Sequence, residues 1–268
     1  MTRDYRVGVA REVIEEINRG YYEVNEKRIT FKSNIVDVKF YKEYTAIGKI
    51  RDKAYGNIVI SNLDSFKASK KYAINSRTAV LNFASARHPG GGFESGSAAQ
   101  EESLCRASTL YKSLSSDEAK IFYKMQQTGD LGLYHSHILV SPNVVVYKDE
   151  LGRNFEDNYT VGVITAAAVN VGYARSRCNS ADVIKQEMLK RAREVIKVAV
   201  DEGYKSIILG AWGCGVFGNS PWDIAEMFRT VLVEEGYRWA FDNIEFAVYD
   251  PTKQTENYRA FVDTFKNI

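Results

Sequence analysis

Three consecutive glycines and two adjacent glutamates lie close together in the first half of the chain. Gly90, Gly91 and Gly92 follow an apolar segment predicted to be a strand, and Glu101 and Glu102 stand at the start of a predicted helix. Glycines let the backbone approach a ligand closely, in conformations that other residues avoid. A helix start offers unpaired N–H groups and the positive end of the helix dipole. The combination indicates an active site for a nucleotide sugar.

A second glycine-rich segment, residues 213–218, has the sequence GCGVFG and matches the pattern G-x-G-x-x-G. It lies between a predicted strand and a predicted helix in which Ser220 is a favourable N-cap and Pro221 a favourable first residue. Such a loop admits a diphosphate close to its backbone. The pattern normally opens the first βαβ unit, whereas here it lies near the C-terminus. It therefore predicts a diphosphate site, which need not belong to a redox cofactor, and an ordinary tight turn stays open as an alternative.

The residues around both glycine segments predict alternating strands and helices. Ala10, Val13, Ile14 and Ile17 share one face of an N-terminal helix that stops at Gly20. Predicted strands cover residues 34–40, 57–60, 79–83, 138–140, 144–147, 161–165, 206–210 and 244–249. Predicted helices cover residues 97–114, 180–202, 221–235 and 255–265, and residues 149–158 are predicted to form a polar loop.

Two local features refine this assignment. Ser97 and Gln100 have the spacing of a capping box at the start of the helix over residues 97–114. The alternation in the second half predicts an α/β sheet that is covered on both faces. Residues 1–75 are less regular, so we expect them to form an extension packed on the core of a single domain over residues 1–268.

Composition excludes several classes of function. The 268 residues carry 36 basic and 34 acidic side chains, for a net charge of +2, and contain no basic run typical of a nucleic-acid-binding arm. No apolar stretch approaches the ~20 residues of a membrane-spanning helix. Cys105, Cys178 and Cys214 do not form a disulfide framework, which favours a cytoplasmic protein. His135 and His137 lack the spacing partners of a zinc site, so no metal is predicted.

The glycine and glutamate segments together resemble the bacterial-type poly(ADP-ribose) glycohydrolases. The motif of that family is a triple glycine, a short spacer and Gln-Glu-Glu, and here seven residues separate Gly92 from Gln100. The likeness continues through residues 80–86, 163–168 and 209–219, and it covers about residues 55–250. It implies a macrodomain-like three-layer α/β/α sandwich with a mixed central sheet and an N-terminal helical extension.

The resemblance also implies the activity and its residues. The activity is hydrolysis of the ribose–ribose O-glycosidic bond of poly(ADP-ribose), which releases ADP-ribose without a cofactor. By similarity, Glu102 matches the catalytic glutamate, Glu101 its ligand-positioning neighbour and Asn82 a strand-end asparagine beside the ribose. The other residues matched to ligand binding are Gly90, Gly91, Gly92, Gln100, Gly213, Cys214, Gly215, Val216 and Phe217. The partners expected are ADP-ribose, its polymer or ADP-ribosylated macromolecules, for a monomer that binds neither membranes nor nucleic acid directly.

The spacing of the two glutamates restricts the mechanism. Glycosidases usually place two carboxyl groups about 5–9.5 Å apart, on either side of the bond. Adjacent helical residues point about 100° apart, so Glu101 and Glu102 cannot flank one bond in this way. We expect Glu102 to protonate the leaving ribose oxygen and then to deprotonate the attacking water, while Glu101 holds ribose hydroxyls.

Three alternatives remain open from the sequence. One is a hydrolase that removes single ADP-ribose units from a protein, a nucleic acid or a small molecule. A second is a protein that binds ADP-ribose without cleaving it, although such a protein needs no acid at Glu102. The third is an NAD-dependent enzyme built on residues 213–218. Hydrolysis is preferred because one ligand, ADP-ribose, uses both glycine segments.

Overall fold

The computed structural model of the chain describes residues 1–31, 35–42, 44, 56–126, 132–250 and 256–268. Its strands are β1 (Tyr21–Val24), β2 (Lys27–Thr30), β3 (Lys39–Tyr41), β4 (Asn57–Ser61), β5 (Thr78–Phe83), β6 (Ile138–Lys148), β7 (Asn154–Ala166), β8 (Ser206–Leu209) and β9 (Asn243–Ala247). Its helices are α1 (Arg3–Arg19), α2 (Ser65–Ala73), α3 (Gln100–Ala107), α4 (Leu110–Leu114), α5 (Asp117–Gln126), α6 (Val171–Ser176), α7 (Ala181–Asp201), α8 (Pro221–Arg229) and α9 (Glu256–Phe265).

Within these residues, seven strands form one mixed sheet in the order β3-β6-β7-β5-β8-β9-β4. The five strands from β7 to β4 are parallel to one another, whereas β6 runs antiparallel to both β7 and β3. The carboxyl ends of β7, β5 and β8 therefore lie side by side at one edge of the sheet. In open α/β sheets ligands bind outside this edge.

Alternating side chains of the central strands supply two hydrophobic cores. Leu81 of β5 packs in a core with α7, α8 and α9, and its neighbour Val80 packs in a second core with α1 to α5. This alternation follows from the two-residue period of a strand. The predicted core face of α7, which includes Met188 and Val195, is buried. The predicted three-layer α/β/α arrangement is thus confirmed.

The N-terminal helix belongs to the layer formed by α2 to α5. Val13 and Ile17 of α1 are buried in the same core as Leu104 of α3, and Gly20 ends α1 in a left-handed conformation with φ +83°, as predicted. Glu16 of α1 lies 3.0 Å from the fully buried ammonium of Lys148 on β6. Removing one partner of a buried ion pair strongly destabilises a protein, because the other charge stays buried without a counter-charge. This contact therefore holds α1 against the sheet.

The structure divides the helix predicted over residues 97–114 into α3 and α4, and α3 begins later than predicted. Its N-cap is Ala99 and makes no side-chain capping bond, so the predicted capping box with Ser97 is wrong. The Ser97 N–H instead donates to the Gly92 carbonyl at 3.0 Å. The helix also breaks before α4, because the Thr109 N–H donates to the Val145 carbonyl and the Val145 N–H to the Thr109 hydroxyl, both at 3.0 Å.

Three further predictions of strands and loops also need correction. The predicted loop over residues 149–158 ends early, since β7 already begins at Asn154, where exposed and half-buried side chains hide the apolar period of a strand. The strands predicted over residues 138–140 and 144–147 are one strand, β6, with an irregular register between Ser141 and Val144. Of the strand predicted over residues 34–40, the described part is extended only from Lys39, and Asn34 lies outside the described residues.

Candidate active site

The carboxyl end of β5 holds a buried polar side chain. Asn82 is fully buried, and its amide nitrogen donates to Glu101 Oε1 at 3.1 Å and to Thr165 Oγ1 of β7 at 3.3 Å. Its Oδ1 has no hydrogen-bond partner in the described part of the chain. The structure therefore brings Asn82 and Glu101 together, and their position beside one ribose stays a prediction.

Glu101 uses both carboxyl oxygens within the protein. Oε1 accepts from Asn82, and Oε2 accepts from the Ser85 N–H at 2.7 Å. Burial raises the pKa of Glu101 to about 8, and the negative charge of Glu102 adds to this, although the bonds from Ser85 and Asn82 act in the opposite direction. The Gly90 backbone also bonds to Glu101, so of the about four acceptor positions of a carboxylate about one remains for a ligand.

Glu102 is held by only one oxygen. Its Oε1 accepts from the Gly92 N–H at 2.9 Å, while the buried Oε2 has no hydrogen-bond partner among the described residues. A buried polar atom without a partner is unfavourable, so such atoms often mark a position that a ligand or a water fills. Glu102 thus differs from Glu101 by having one oxygen available for chemistry.

The segment over residues 90–97, here called the glycine loop, needs its glycines for close approach. Gly90 and Gly91 have positive φ angles of +67° and +59°. A Cβ at Gly91 would lie 2.5 Å from Glu102 Oε1, and one at Gly92 would lie 2.2 Å from Ser97 Oγ. Any side chain at either position would displace the loop or Glu102.

Three arginines outside the glycine loop bind three of its consecutive carbonyl groups. The Arg3 and Arg6 guanidinium groups of α1 donate to the carbonyls of Ser95 at 2.9 Å and Gly96 at 2.7 Å. Arg106 of α3 donates to the Ser97 carbonyl at 2.7 Å. Burial lowers the pKa of Arg106, and the nearby Glu102 carboxyl acts in the opposite direction. The loop position is therefore set by two helices that are far apart in sequence.

Gln100 links the start of α3 to β5. Its Oε1 accepts from the Phe83 N–H at 2.9 Å, and its Nε2 donates to the Leu81 carbonyl at 2.9 Å and to Ser65 Oγ at 3.1 Å. These bonds within the protein hold the start of α3, and with it Glu101 and Glu102, at the end of β5. Its predicted contact with the ligand stays a prediction.

Residues 213–218, here called the diphosphate loop, follow β8 and fold over the end of β7. Gly213 has φ +75°, and a Cβ there would lie 2.6 Å from both Ala168 Cβ and Asn219 Nδ2. The N–H groups of Gly215, Val216 and Phe217 donate to no acceptor in the described ranges. Unpaired N–H groups in a tight loop attract an anion, which suits the predicted diphosphate.

The aromatic residues near the diphosphate loop divide into core and surface. Trp212 is fully buried, and its indole N–H donates to the Ala166 carbonyl at 3.1 Å, so it packs in the core. Trp222 is exposed, and its indole N–H donates a hydrogen bond to Glu256 Oε1 at 2.9 Å. Phe217 is half-buried in the loop itself, where it can contact a ligand. Burial raises the pKa of Cys214 to about 12, which keeps its thiol neutral.

The two loops meet at one edge of the sheet. The Ala84 N–H after β5 donates to the Ala166 carbonyl of β7 at 3.2 Å, and the Val171 N–H donates to the Phe217 carbonyl at 2.8 Å. A cavity of about 730 Å³ lies beside this edge, lined in part by Phe83, Gln100, Ala211 and Tyr249. Of the predicted site residues only Gln100 lines it, so this cavity lies next to Glu101, Glu102 and the two loops rather than between them.

Some residues of this site were not predicted from the sequence. The Ser85 N–H and the Thr165 hydroxyl lie in segments of the family likeness, but no role was predicted for either. Thr165 contacts Asn82 because β5 and β7 pair, and Ser85 contacts Glu101 because the chain turns after β5. Arg106 stands four residues after Glu102, a spacing that favours acidic and basic pairs on a helix, and this signal could have found it.

The described part of the chain contains neither a metal site nor a membrane helix by the usual criteria. No group of three or more His, Cys, Asp or Glu side chains there could hold a metal ion. Likewise, none of the described helices has both the length and the apolar character needed to cross a membrane.

Comparison with known families and structures gives consistent results. Residues 10–149 match the family model of the microbial-type PARG catalytic domain. The crystal structure of poly(ADP-ribose) glycohydrolase from Thermomonospora curvata is 31% identical, with a TM-score of 0.87 over 97% of this chain and 99% of that chain. The enzyme from Deinococcus radiodurans in complex with ADP-ribose is 34% identical, with a TM-score of 0.82 over 88% and 97%. Comparison with curated protein sequences gave no match.

Proposed function

Because the chain belongs to the microbial-type poly(ADP-ribose) glycohydrolase family and is a glycoside hydrolase, we propose that Glu102 is its general acid and general base. The free Oε2 of Glu102 is the observation that supports this role. Glu101 has no equivalent atom, since Asn82 and Ser85 bind its two oxygens. The two adjacent carboxyl groups therefore have different tasks.

The proposed reaction begins with Glu102 protonated. Its proton passes to the ribose oxygen of the scissile bond, the bond from C1″ to that oxygen breaks, and the ribose carries oxocarbenium-like charge. The Glu102 carboxylate then takes a proton from the water that attacks C1″, and ADP-ribose leaves with its hydroxyl. The Gly92 N–H at 2.9 Å holds Glu102 Oε1 during both steps, which leaves Oε2 to transfer the proton.

The two loops bind one ADP-ribose unit in this proposal. The relatives that support it include the Thermomonospora enzyme bound to ADP-HPD and the Deinococcus enzyme bound to ADP-ribose. The free N–H groups of the diphosphate loop bind the diphosphate, and Phe217 packs against the distal ribose. Glu101 and Asn82 hold ribose hydroxyls beside the glycine loop.

The described elements also support a single catalytic domain over residues 1–268. The seven strands share one sheet, and the N-terminal helix packs in the same core as α2 to α5. The first 75 residues are then a part of the catalytic unit rather than a separate module.

Product analysis tests the proposed function. Purified protein is incubated with labelled poly(ADP-ribose) and, separately, with mono-ADP-ribosylated protein, and the products are resolved. The proposal expects free ADP-ribose from the polymer, with one unit remaining on the modified protein. Release from the mono-modified protein alone would instead assign the chain to the hydrolases of single ADP-ribose units. ADP-ribose binding without turnover on either substrate would contradict catalysis.

A further inference from the structure

Two arginines and two tyrosines form a surface patch beside the candidate active site. The guanidinium carbons of Arg87 and Arg177 each lie 5.5 Å from the ring centroid of Tyr173. The Tyr134 ring stacks on Tyr173 at 5.8 Å with an interplanar angle of 27°. We call these four residues the arginine–tyrosine patch, and none of them has a role in the mechanism above.

The positive charge of this patch is accessible. Arg87 and Arg177 are both exposed, and no carboxylate of the described residues lies within the 4.0 Å of an ion pair with either. The exposed Arg153, in contrast, is paired with Asp149 at 2.7 Å. A guanidinium group over an aromatic ring offers both a charge and a flat surface, and it can bind phosphate in a bidentate manner.

The patch joins a residue that precedes the glycine loop to a residue of α6, near the segment that contacts the diphosphate loop. Arg87 follows Ser85 by two residues, and the Ser85 backbone holds Glu101 at 2.7 Å. Tyr173 follows Val171 by two residues, and the Val171 N–H donates to the Phe217 carbonyl at 2.8 Å. The contact between Arg87 and Tyr173 therefore joins segments that lie beside the two loops, and in the proposed function it stands at the mouth of the site.

The substrate must leave the site at this mouth. In the proposed function, one terminal ADP-ribose unit occupies both loops, and its distal ribose is bonded to the next unit of the polymer. That next unit carries its own diphosphate and adenine, for which the two loops have no further place. We propose that the arginine–tyrosine patch binds this neighbouring unit, on the leaving-group side of the scissile bond. The inference rests on the proposed function and adds a second nucleotide subsite to it.

The proposal separates two affinities. Free ADP-ribose does not reach the patch, so its binding does not depend on Arg87 or Arg177. A polymer of two or more units does reach it, and its binding depends on both side chains. Because the contact is partly ionic, polymer affinity should fall more steeply with salt concentration than ADP-ribose affinity does.

The test uses the full chain with Glu102→Gln to prevent turnover during binding. The double variant Arg87→Ala/Arg177→Ala should weaken binding of a defined polymer about tenfold, since exposed cation–π and ionic contacts are individually small. Binding of free ADP-ribose should stay within about twofold. The control is Arg28→Ala, because Arg28 also stacks on a tyrosine, Tyr21 at 4.1 Å, but on the β1–β2 hairpin. It should change neither affinity.

Each contrary outcome has a separate meaning. Polymer binding that is unchanged in the double variant would overturn the subsite. A parallel loss of ADP-ribose binding would also overturn it, because the patch would then belong to the terminal unit. An equal loss with mono-ADP-ribosylated protein would assign the patch to the attached protein instead. The protein that carries only Glu102→Gln must bind ADP-ribose and polymer. If it binds neither, the proposed function itself is contradicted.

Discussion

In the proposed function the glycine loop and the diphosphate loop both present backbone to the ligand, but the two loops are held in position differently. The glycine loop has turn bonds of its own, from Phe93 to Gly90 and from Ser97 to Gly92 at 3.0 Å. It is also bound from outside by the charged side chains of Arg3, Arg6, Arg106 and Glu102 on α1 and α3. Among the described residues no charged side chain binds the diphosphate loop, which is held from outside by the Val171 N–H at 2.8 Å and the Asn219 amide at 3.2 Å. Its turn bonds run from Gly218 to Gly215 at 3.0 Å and from Asn219 to Gly213 at 3.1 Å.

This difference indicates a division of work. The diphosphate loop is held by backbone groups and an amide close to it, so its shape does not depend on charged side chains from distant helices. A loop that carries an acid must hold that acid within a fraction of an ångström, and a displacement of 1 Å can reduce the rate about 100-fold. The external bonds to the glycine loop supply that restraint.

The largest expected effect is on the acid itself. Glu102→Gln removes the transferable proton but keeps the size of the side chain and an oxygen that can accept from Gly92. Hydrolysis should fall by about 10²–10⁴-fold, the usual contribution of a general acid or base. Affinity for ADP-ribose, measured by calorimetry, should stay within a few fold. Undiminished turnover would remove Glu102 from the chemistry.

The next largest effect is expected from a substitution in the glycine loop that leaves Glu102 itself unchanged. Gly91→Ala places a Cβ 2.5 Å from Glu102 Oε1 at a residue with φ +59°. The displaced carboxyl should lower kcat on the polymer about 100-fold. Gly8→Ala is the matched control, because a Cβ at Gly8 in α1 meets nothing within 4 Å. Equal kcat for the two variants would show that loop position does not limit catalysis.

Phe217→Ala alters the other loop. Loss of an aromatic contact with the ligand should weaken ADP-ribose binding by about 1–3 kcal/mol, by analogy with stacking on nucleotides. At saturating polymer, kcat should change little, because Glu102 and the glycine loop keep their positions. Calorimetry gives the affinity, and initial rates at saturation give kcat. Unchanged affinity would place Phe217 in packing alone.

The arginine bonds from α1 should have a smaller effect. Arg6→Ala removes the 2.7 Å bond to the Gly96 carbonyl and should lower kcat about tenfold, with little change in ADP-ribose affinity. Arg6→Lys should recover part of kcat, since an ammonium can still donate. Arg11→Ala, an exposed arginine on the same helix, is the control. A loss of thermal stability without a change in kcat would make the Arg6 contact purely structural.

The smallest effect is a pH dependence of stability that arises from Glu101. Its pKa in the folded protein is about 8, against an ordinary value of 4.5, so the native state holds a proton that the unfolded state releases between these values. The stabilisation from neutral Glu101 is complete below the lower value and lost as the pH rises through about 8.

Glu101→Gln lacks this titration. The free energy of unfolding of the unaltered protein, relative to Glu101→Gln, should therefore fall as the pH rises through this window. Urea unfolding at a series of pH values measures it. A difference that stays constant with pH would contradict a raised pKa at Glu101.

The sequence predicted the diphosphate loop better than the glycine loop, for the same physical reason. The helix after the diphosphate loop has the expected Ser220 cap, which accepts from the Asp223 N–H, and Pro221 as its first residue. These signals are local. The expected cap at Ser97 was wrong because the Ser97 backbone is used by Gly92 and Arg106, which the spacing of Ser97 and Gln100 does not reveal.

Contacts that join distant segments account for what the sequence did not predict. The bonds from Arg3 and Arg6 span about 90 residues of sequence, and both arginines precede the segment 10–149 that matches the family model. The alternation of strands and helices predicted the layers, because burial on both faces gives each strand an apolar run. It did not predict α2 or the β1–β2 hairpin, which are short and largely polar.

The most direct test of the division between the loops compares Gly91→Ala and Phe217→Ala in one paired experiment. ADP-ribose affinity by calorimetry and kcat at saturating polymer are measured for both variants and for the unaltered protein. We predict that Gly91→Ala lowers kcat and leaves the affinity within a few fold of that of the unaltered protein. Phe217→Ala should weaken the affinity and leave kcat nearly unchanged. Parallel losses of kcat and affinity in both variants would contradict it.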